Sequence, residues 1–194
     1  MRYARSLLFA LLLCGWFAPN SWPSALQAQE RPEKLLESAH ALTTSATTIE
    51  QLDEILSKCL EAQETELDEQ WAEYARQLLS WTHNRRGELL SEQAASAVDG
   101  EDASESSELD AQALADFEKA VEYNPQSWKA LHNRGVSYAL RGDFDASLAD
   151  FEKASQMEPR YANTWFNLGE LRYERGDFDR AIQDYSKALK LSTD

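Results

Sequence analysis

Three histidines, two cysteines and one run of carboxylates are the residues best suited to chemistry here. His40, His83 and His132 stand far apart, with no H-x-x-x-H spacing to put two ligands on one helix face, so a zinc site is unsupported. Asp99, Glu101, Asp102, Glu105, Glu108 and Asp110 form the acidic run. They lack the D-x-D-x-D-G order of a calcium loop, and metal binding is not expected. No serine or cysteine has a base partner recognisable by motif, and there is no Gly-rich loop to cradle a phosphate. Two Arg-Gly-Asp tripeptides, Arg141–Asp143 and Arg175–Asp177, look like adhesion signals. Both fall where one helix ends at a glycine and the next starts at an aspartate, so a structural use is preferred. The expectation is a non-catalytic chain that needs no cofactor.

Cys14 and Cys59 tell different stories. Met1 to Arg5 is basic, Leu7 to Ala18 is an apolar run of 12 residues, and Leu26-Gln27-Ala28 suits cleavage. That is the three-part pattern of a secretory signal over residues 1–28. The run is short of the about 20 apolar residues a permanent span needs. Lipidation at Cys14 would want a small residue before it, and Leu13 is not small. A periplasmic or secreted location is therefore expected. Removal of Cys14 would leave Cys59 alone, with pairing between chains the remaining redox option. Ile49, Leu52, Ile55, Leu56, Cys59 and Leu60 share one helical stripe, which favours Cys59 as a small core residue.

Charge narrows the partners. Residues 1–28 hold two bases and no acid, so the rest carries 17 Lys and Arg against 34 Asp and Glu. Such a surface repels phosphate backbones, and nucleic acid is excluded as a general partner. Hydrophobic residues at 43% are enough to build a core.

The elements that must position any site are announced by a repeat of 34 residues. Arg141-Gly142-Asp143-Phe144-Asp145 returns as Arg175-Gly176-Asp177-Phe178-Asp179. Asp116-Phe117-Glu118-Lys119-Ala120 returns as Asp150-Phe151-Glu152-Lys153-Ala154, then loosely at Asp184-Tyr185. A fixed period of this length signals one supersecondary unit stacked on its own copies. Trp165-x-x-Leu168-Gly169 followed by Ala181-x-x-x-Tyr185, and Leu131-x-x-Arg134-Gly135-x-x-Tyr138 followed by Ser147-x-x-x-Phe151 and Pro159, resemble the tetratricopeptide repeat. The resemblance implies an all-α right-handed superhelical solenoid of about three helix hairpins. Gly135 and Gly169 would let the partner helix come close. Gly142 and Gly176 would take φ > 0 at helix ends, and Pro125 and Pro159 would stop the second helices.

Two repeats are read at 128–161 and 162–194. A third, 80–127, is recovered from His83-Asn84-Arg85-Arg86-Gly87 and Phe117, with its turn interrupted by 14 inserted residues. That insertion, 97–110, reads as a solvated acidic loop. Residues 29–79 read as a non-repeat helical cap over the first stack. Leu35, Leu36, Ala39 and Leu42 would mark one helix, and Thr47 to Glu50 has capping-box spacing for the next. A third, marked by Leu67, Trp71, Tyr74 and Leu78, would run on into the first repeat.

In the family resembled, five positions of each first helix line a concave groove. They fall on Trp81, Asn84, Glu88, Ser91 and Glu92 in the first repeat. The second repeat supplies Lys129, His132, Val136, Ala139 and Leu140, and the third Asn163, Phe166, Glu170, Tyr173 and Glu174. The family's Lys/Asn/Arg clamp for a C-terminal carboxylate is missing from these positions. A mixed aromatic and acidic groove suits a protein or peptide with Lys or Arg among apolar residues. The expected function is an interaction scaffold in the cell envelope. Two rivals remain: a self-associating structural protein, dimeric through its C-terminal hairpin, and an accessory envelope enzyme.

Overall fold

A computed structural model describes residues 31–98 and 103–193, and every regular element among them is an α-helix. The expected secretory signal, 1–28, lies outside the described residues. The helices run α1 (Pro32–Thr43), α2 (Ile49–Gln63), α3 (Glu69–Val98), α4 (Ala103–Tyr123), α5 (Trp128–Leu140), α6 (Phe144–Met157), α7 (Ala162–Glu174) and α8 (Phe178–Thr193). Each packs on the next in chain order, and α3 also touches α1 and α5. Nearest-neighbour packing of this kind is what a stack of hairpins requires.

Three hairpins, α3–α4, α5–α6 and α7–α8, follow the 34-residue rhythm. Their seam is a glycine set under an aromatic ring. A Cβ on Gly87 would lie 2.6 Å from Phe117, one on Gly135 2.9 Å from Phe151, and one on Gly169 2.7 Å from Tyr185. The glycines thus make room for a side chain of the second helix, where the sequence suggested close backbone approach. The turns behave as read. Gly142 and Gly176 have φ of 77° and 76°. Around the first, Asp143 N–H donates to the Tyr138 carbonyl and Gly142 N–H to that of Ala139, closing a Schellman motif. Asp143 then caps α6 by accepting from Ala146 N–H at 3.1 Å. The Arg-Gly-Asp tripeptides are helix punctuation. α4 and α6 each stop two residues before Pro125 and Pro159.

A buried ion pair latches each hairpin. Asp116, Asp150 and Asp184, each just before the covering ring, are 3%, 6% and 5% exposed. Arg86 donates to Asp116 at 2.8 Å, Arg134 to Asp150 at 2.7 and 2.8 Å, and Arg172 to Asp184 at 2.5 Å. The first two arginines precede the seam glycine, and the third follows it by one turn. At Asp116 burial works to raise the pKa, but hydrogen bonds from His83 and Arg86 outweigh it and hold the carboxyl below its ordinary value. At Asp184 burial wins over Arg172, and the pKa is raised.

The inserted acidic segment is a correction. Its composition reads as a loop over 97–110, yet α3 continues to Val98 and α4 is already helical at Ala103. Beyond its seam glycine α3 runs eleven residues, where α5 and α7 run five. The insertion lengthens both arms of the hairpin by about two turns, roughly 10 Å. Ala94, Ser106, Leu109 and Ala113 explain why: small or apolar groups recur on the facing sides, and Ser106 Oγ donates to the Ala94 carbonyl at 3.0 Å. Glu105 and Glu108 are exposed, forming the wet face of a helix.

The N-terminal helices build the largest core. Leu36, Leu52, Ile55, Cys59 and Leu79 are completely buried together, with Tyr123 of the first hairpin packed against them. Burial pushes the Cys59 thiol up to about 12, which makes it an inert core group. Thr48 caps α2 in a reciprocal box whose answering side chain is Gln51. α3 is unbroken from the core below Leu79 into the first repeat.

Candidate partner-binding groove

The first helices of the hairpins, α3, α5 and α7, carry the fifteen groove positions, and the structure brings five of them together. Glu88, Ser91 and Glu92 of α3 face Val136 and Leu140 of α5 across an open cleft of about 430 Å³. Ala94, Ala95, Ser106 and Asp110 complete its wall. These last four belong to the lengthened arms of the α3–α4 hairpin. Sequence reading misses Ser106 and Asp110 because it assigns 97–110 to a loop, and Ala94 and Ala95 because they lie beyond the five groove positions of the first helix. The spacing of Ala94 and Ala113 locates the insertion, and their place on one helical seam is the overlooked signal.

The cleft has an ordered polar floor. Asn84 donates to Glu88 Oε1 at 2.8 Å, and Asn133 Nδ2 bridges to Asn84 Oδ1 at 3.0 Å and Glu88 Oε1 at 3.2 Å. Arg85 donates to the other Glu88 oxygen at 2.8 Å. Glu88 is therefore fixed by neighbours on two repeats, while Glu92 is exposed at the rim and Leu140 is 74% exposed. A preset carboxylate beside an apolar wall can receive a cation and its aliphatic stem together.

Other groove positions are placed differently. Asn84 is 7% exposed and serves the floor. Trp81 sits apart, beside His40 and Tyr74 in a shallower hollow. Lys129 holds its ammonium 5.5 Å from the Trp128 ring. Asn163, Phe166, Glu170, Tyr173 and Glu174 lie on α7 and do not line the cleft. Glu170 accepts from the Tyr185 hydroxyl, and Phe166 lies against the same ring.

His132 needs correction. Expected to face the groove, it is 7% exposed, with Nδ1 hydrogen-bonded to Thr164 Oγ1 at 2.9 Å. Phe151 and Tyr161 enclose its ring at 5.3 and 5.0 Å. It joins the second hairpin to the third. Burial pushes its pKa down to about 4. The unfolded chain, titrating near 6.5, then takes up the proton first. This contribution is complete above about pH 6.5 and is lost as pH falls toward 4. Between pH 7 and 5 the protein is expected to lose about 2 kcal/mol of stability through this group. Urea unfolding of wild type and His132→Asn at both pH values checks it; equal losses in the two proteins would refute the assignment.

Among the described residues no group of three or more His, Cys, Asp or Glu is placed to hold a metal. No helix among them is long and apolar enough to cross a membrane.

No curated protein matches the sequence. Among solved structures, the crystal structure of MamA is similar with a TM-score of 0.50 at 15% identity, over 84% of this chain and 78% of that one. The Sgt2 TPR domain from Aspergillus fumigatus is similar with a TM-score of 0.44 at 21% identity, covering 56% of this chain and 67% of that one. The first TPR of Spaghetti (RPAP3), solved with an HSP90 peptide, has a TM-score of 0.45 at 17% identity, covering 57% and 82%. The tetratricopeptide repeat family model matches residues 128–194. That match covers the hairpins α5–α6 and α7–α8, which are tetratricopeptide repeats, and the chain's all-α stack is similar in fold to that of MamA.

Proposed function

We propose that this protein is a non-catalytic scaffold that holds a peptide or protein segment carrying Lys or Arg among apolar residues, in the cleft between the first two hairpins. One observation carries the reading: a carboxylate fixed by Asn84, Asn133 and Arg85 stands opposite an aliphatic edge made of half-buried Val136 and exposed Leu140. A cation finds a partner whose orientation is already set, and its stem finds apolar cover, so little ordering is left to pay for on binding. The lack of a basic clamp argues against acidic tails. The basic, then apolar, first residues support export, which would put the partner in the cell envelope.

The test is fluorescence anisotropy with two labelled peptides of about 15 residues, one alternating Lys with Leu and the other Glu with Leu. The basic peptide should bind, and Glu92→Lys or Leu140→Asp should each weaken it at least about tenfold, with the melting temperature unchanged because both side chains are exposed. Tight binding of the acidic peptide, with none of the basic one, would overturn the reading.

A further inference from the structure

We propose that the outer face of α8 is the seat of a second copy of this chain, the two α8 helices lying antiparallel about a two-fold axis. α8 buries Ala181, Asp184 and Ala188 against α7. On the face adjoining that one, Phe178, Ile182 and Leu189 are 55%, 63% and 68% exposed. Spaced at four and seven residues, these three make one continuous apolar stripe, the pattern of a helix that packs on another helix. Tyr173 of α7, itself 55% exposed, widens the stripe by setting its ring edge-on to Phe178 at 5.4 Å.

Charge decides the occupant. The flank of the stripe away from the buried side exposes Asp179, Gln183, Ser186 and Lys190. Its acid thus stands in the first turn of α8, its base in the last, and two neutral polar residues lie between them. The other bases of the helix are engaged within the chain. Lys187 lies 3.5 Å over the Trp165 ring, and Arg180 is paired with Asp177. In a two-fold antiparallel pair the same flanks face each other with their ends exchanged. Asp179 then meets Lys190 of the second copy, and Lys190 meets its Asp179. A parallel pair would turn this flank toward the side of the second copy already buried against its α7, leaving Asp179 and Lys190 unmatched, and the net charge of −15 resists any contact without local compensation. The surface is therefore complementary to itself in one orientation, as an isologous interface must be. Half-covered side chains of this size offer roughly 400 Å² of apolar area per copy, about half of what a standard interface takes from each partner. An interface of that size belongs with weak, reversible association.

Sedimentation velocity of the purified chain between about 1 and 100 µM reads this directly. Wild type should pass from monomer to dimer, and Ile182→Asp should weaken the dimer at least about tenfold. Asp179→Lys should weaken it about fivefold, and adding Lys190→Asp should restore it. Circular dichroism melts of all four proteins confirm that they are folded. A wild-type chain still monomeric at about 100 µM overturns the proposal. So does a dimer indifferent to Ile182→Asp or unrepaired by the double exchange, because association through any other surface ignores both.

Discussion

Gly87→Val is expected to destabilise the protein by about 3 kcal/mol, at the upper end for overpacking a close-packed core. A Cβ at this position falls 2.6 Å from Cε1 of Phe117 and 2.9 Å from two further ring carbons, and that ring is 3% exposed. The ring cannot retreat without opening the α3–α4 seam. Any gain from replacing a mid-helix glycine, about 1 kcal/mol at most for alanine, is smaller. The control is Gly142→Ala, where a Cβ meets nothing within 4 Å and the penalty comes only from a φ of +77°. About 1 kcal/mol is expected there. Urea midpoints of the two variants separate steric from conformational cost. Equal effects would mean that the seam is not held by glycine under a ring.

Arg134→Met should cost about 3 kcal/mol, since it strands a carboxylate that is 6% exposed and bonded to that guanidinium through both oxygens. The long methionine replaces the stem but not the charge. Adding Asp150→Leu should recover most of the loss, because no buried charge is then left unpaired. The surface pair Lys119–Glu122, over half exposed on both sides, sets the contrast: Lys119→Met should change stability by less than about 0.5 kcal/mol. The measurement is a double-mutant cycle by chemical denaturation. Additive effects of the Arg134 and Asp150 changes would show that the latch does not act as a unit.

What the sequence discloses and what it hides divides along range of interaction. Gly142 and Gly176 at positive φ, Asp143 as a cap and the proline stops are decided within a few residues, and each is legible from the 34-residue recurrence. Cys59 can be placed in the core because its stripe has helical period. The role of His132 depends on Thr164 and Tyr161, about thirty residues away and beyond its own hairpin, so its own neighbours give no warning of burial. The recurrence of Asp116, Asp150 and Asp184 is visible, but their arginine partner shifts by one turn in the third hairpin, which hides the latch from a strict period. The segment 97–110 misleads for a different reason. A run of acids composes a solvated loop and the wet face of a helix equally well, and only Leu109 and Ala113 distinguish them. That helix supplies one wall of the cleft, so the error removes part of the site as well as part of the fold.

Site-specific photocrosslinking in the cells that make this protein tests the central idea most directly: that stacked hairpins leave a cleft for recognition. A photoreactive residue in place of Leu140, at the rim of the cleft, is compared with one in place of Glu122, exposed on α4. Cleft recognition predicts a discrete adduct from position 140, competed by the Lys/Leu peptide, and none from position 122. An adduct that forms equally from 122, or one from 140 that the peptide leaves untouched, would contradict it.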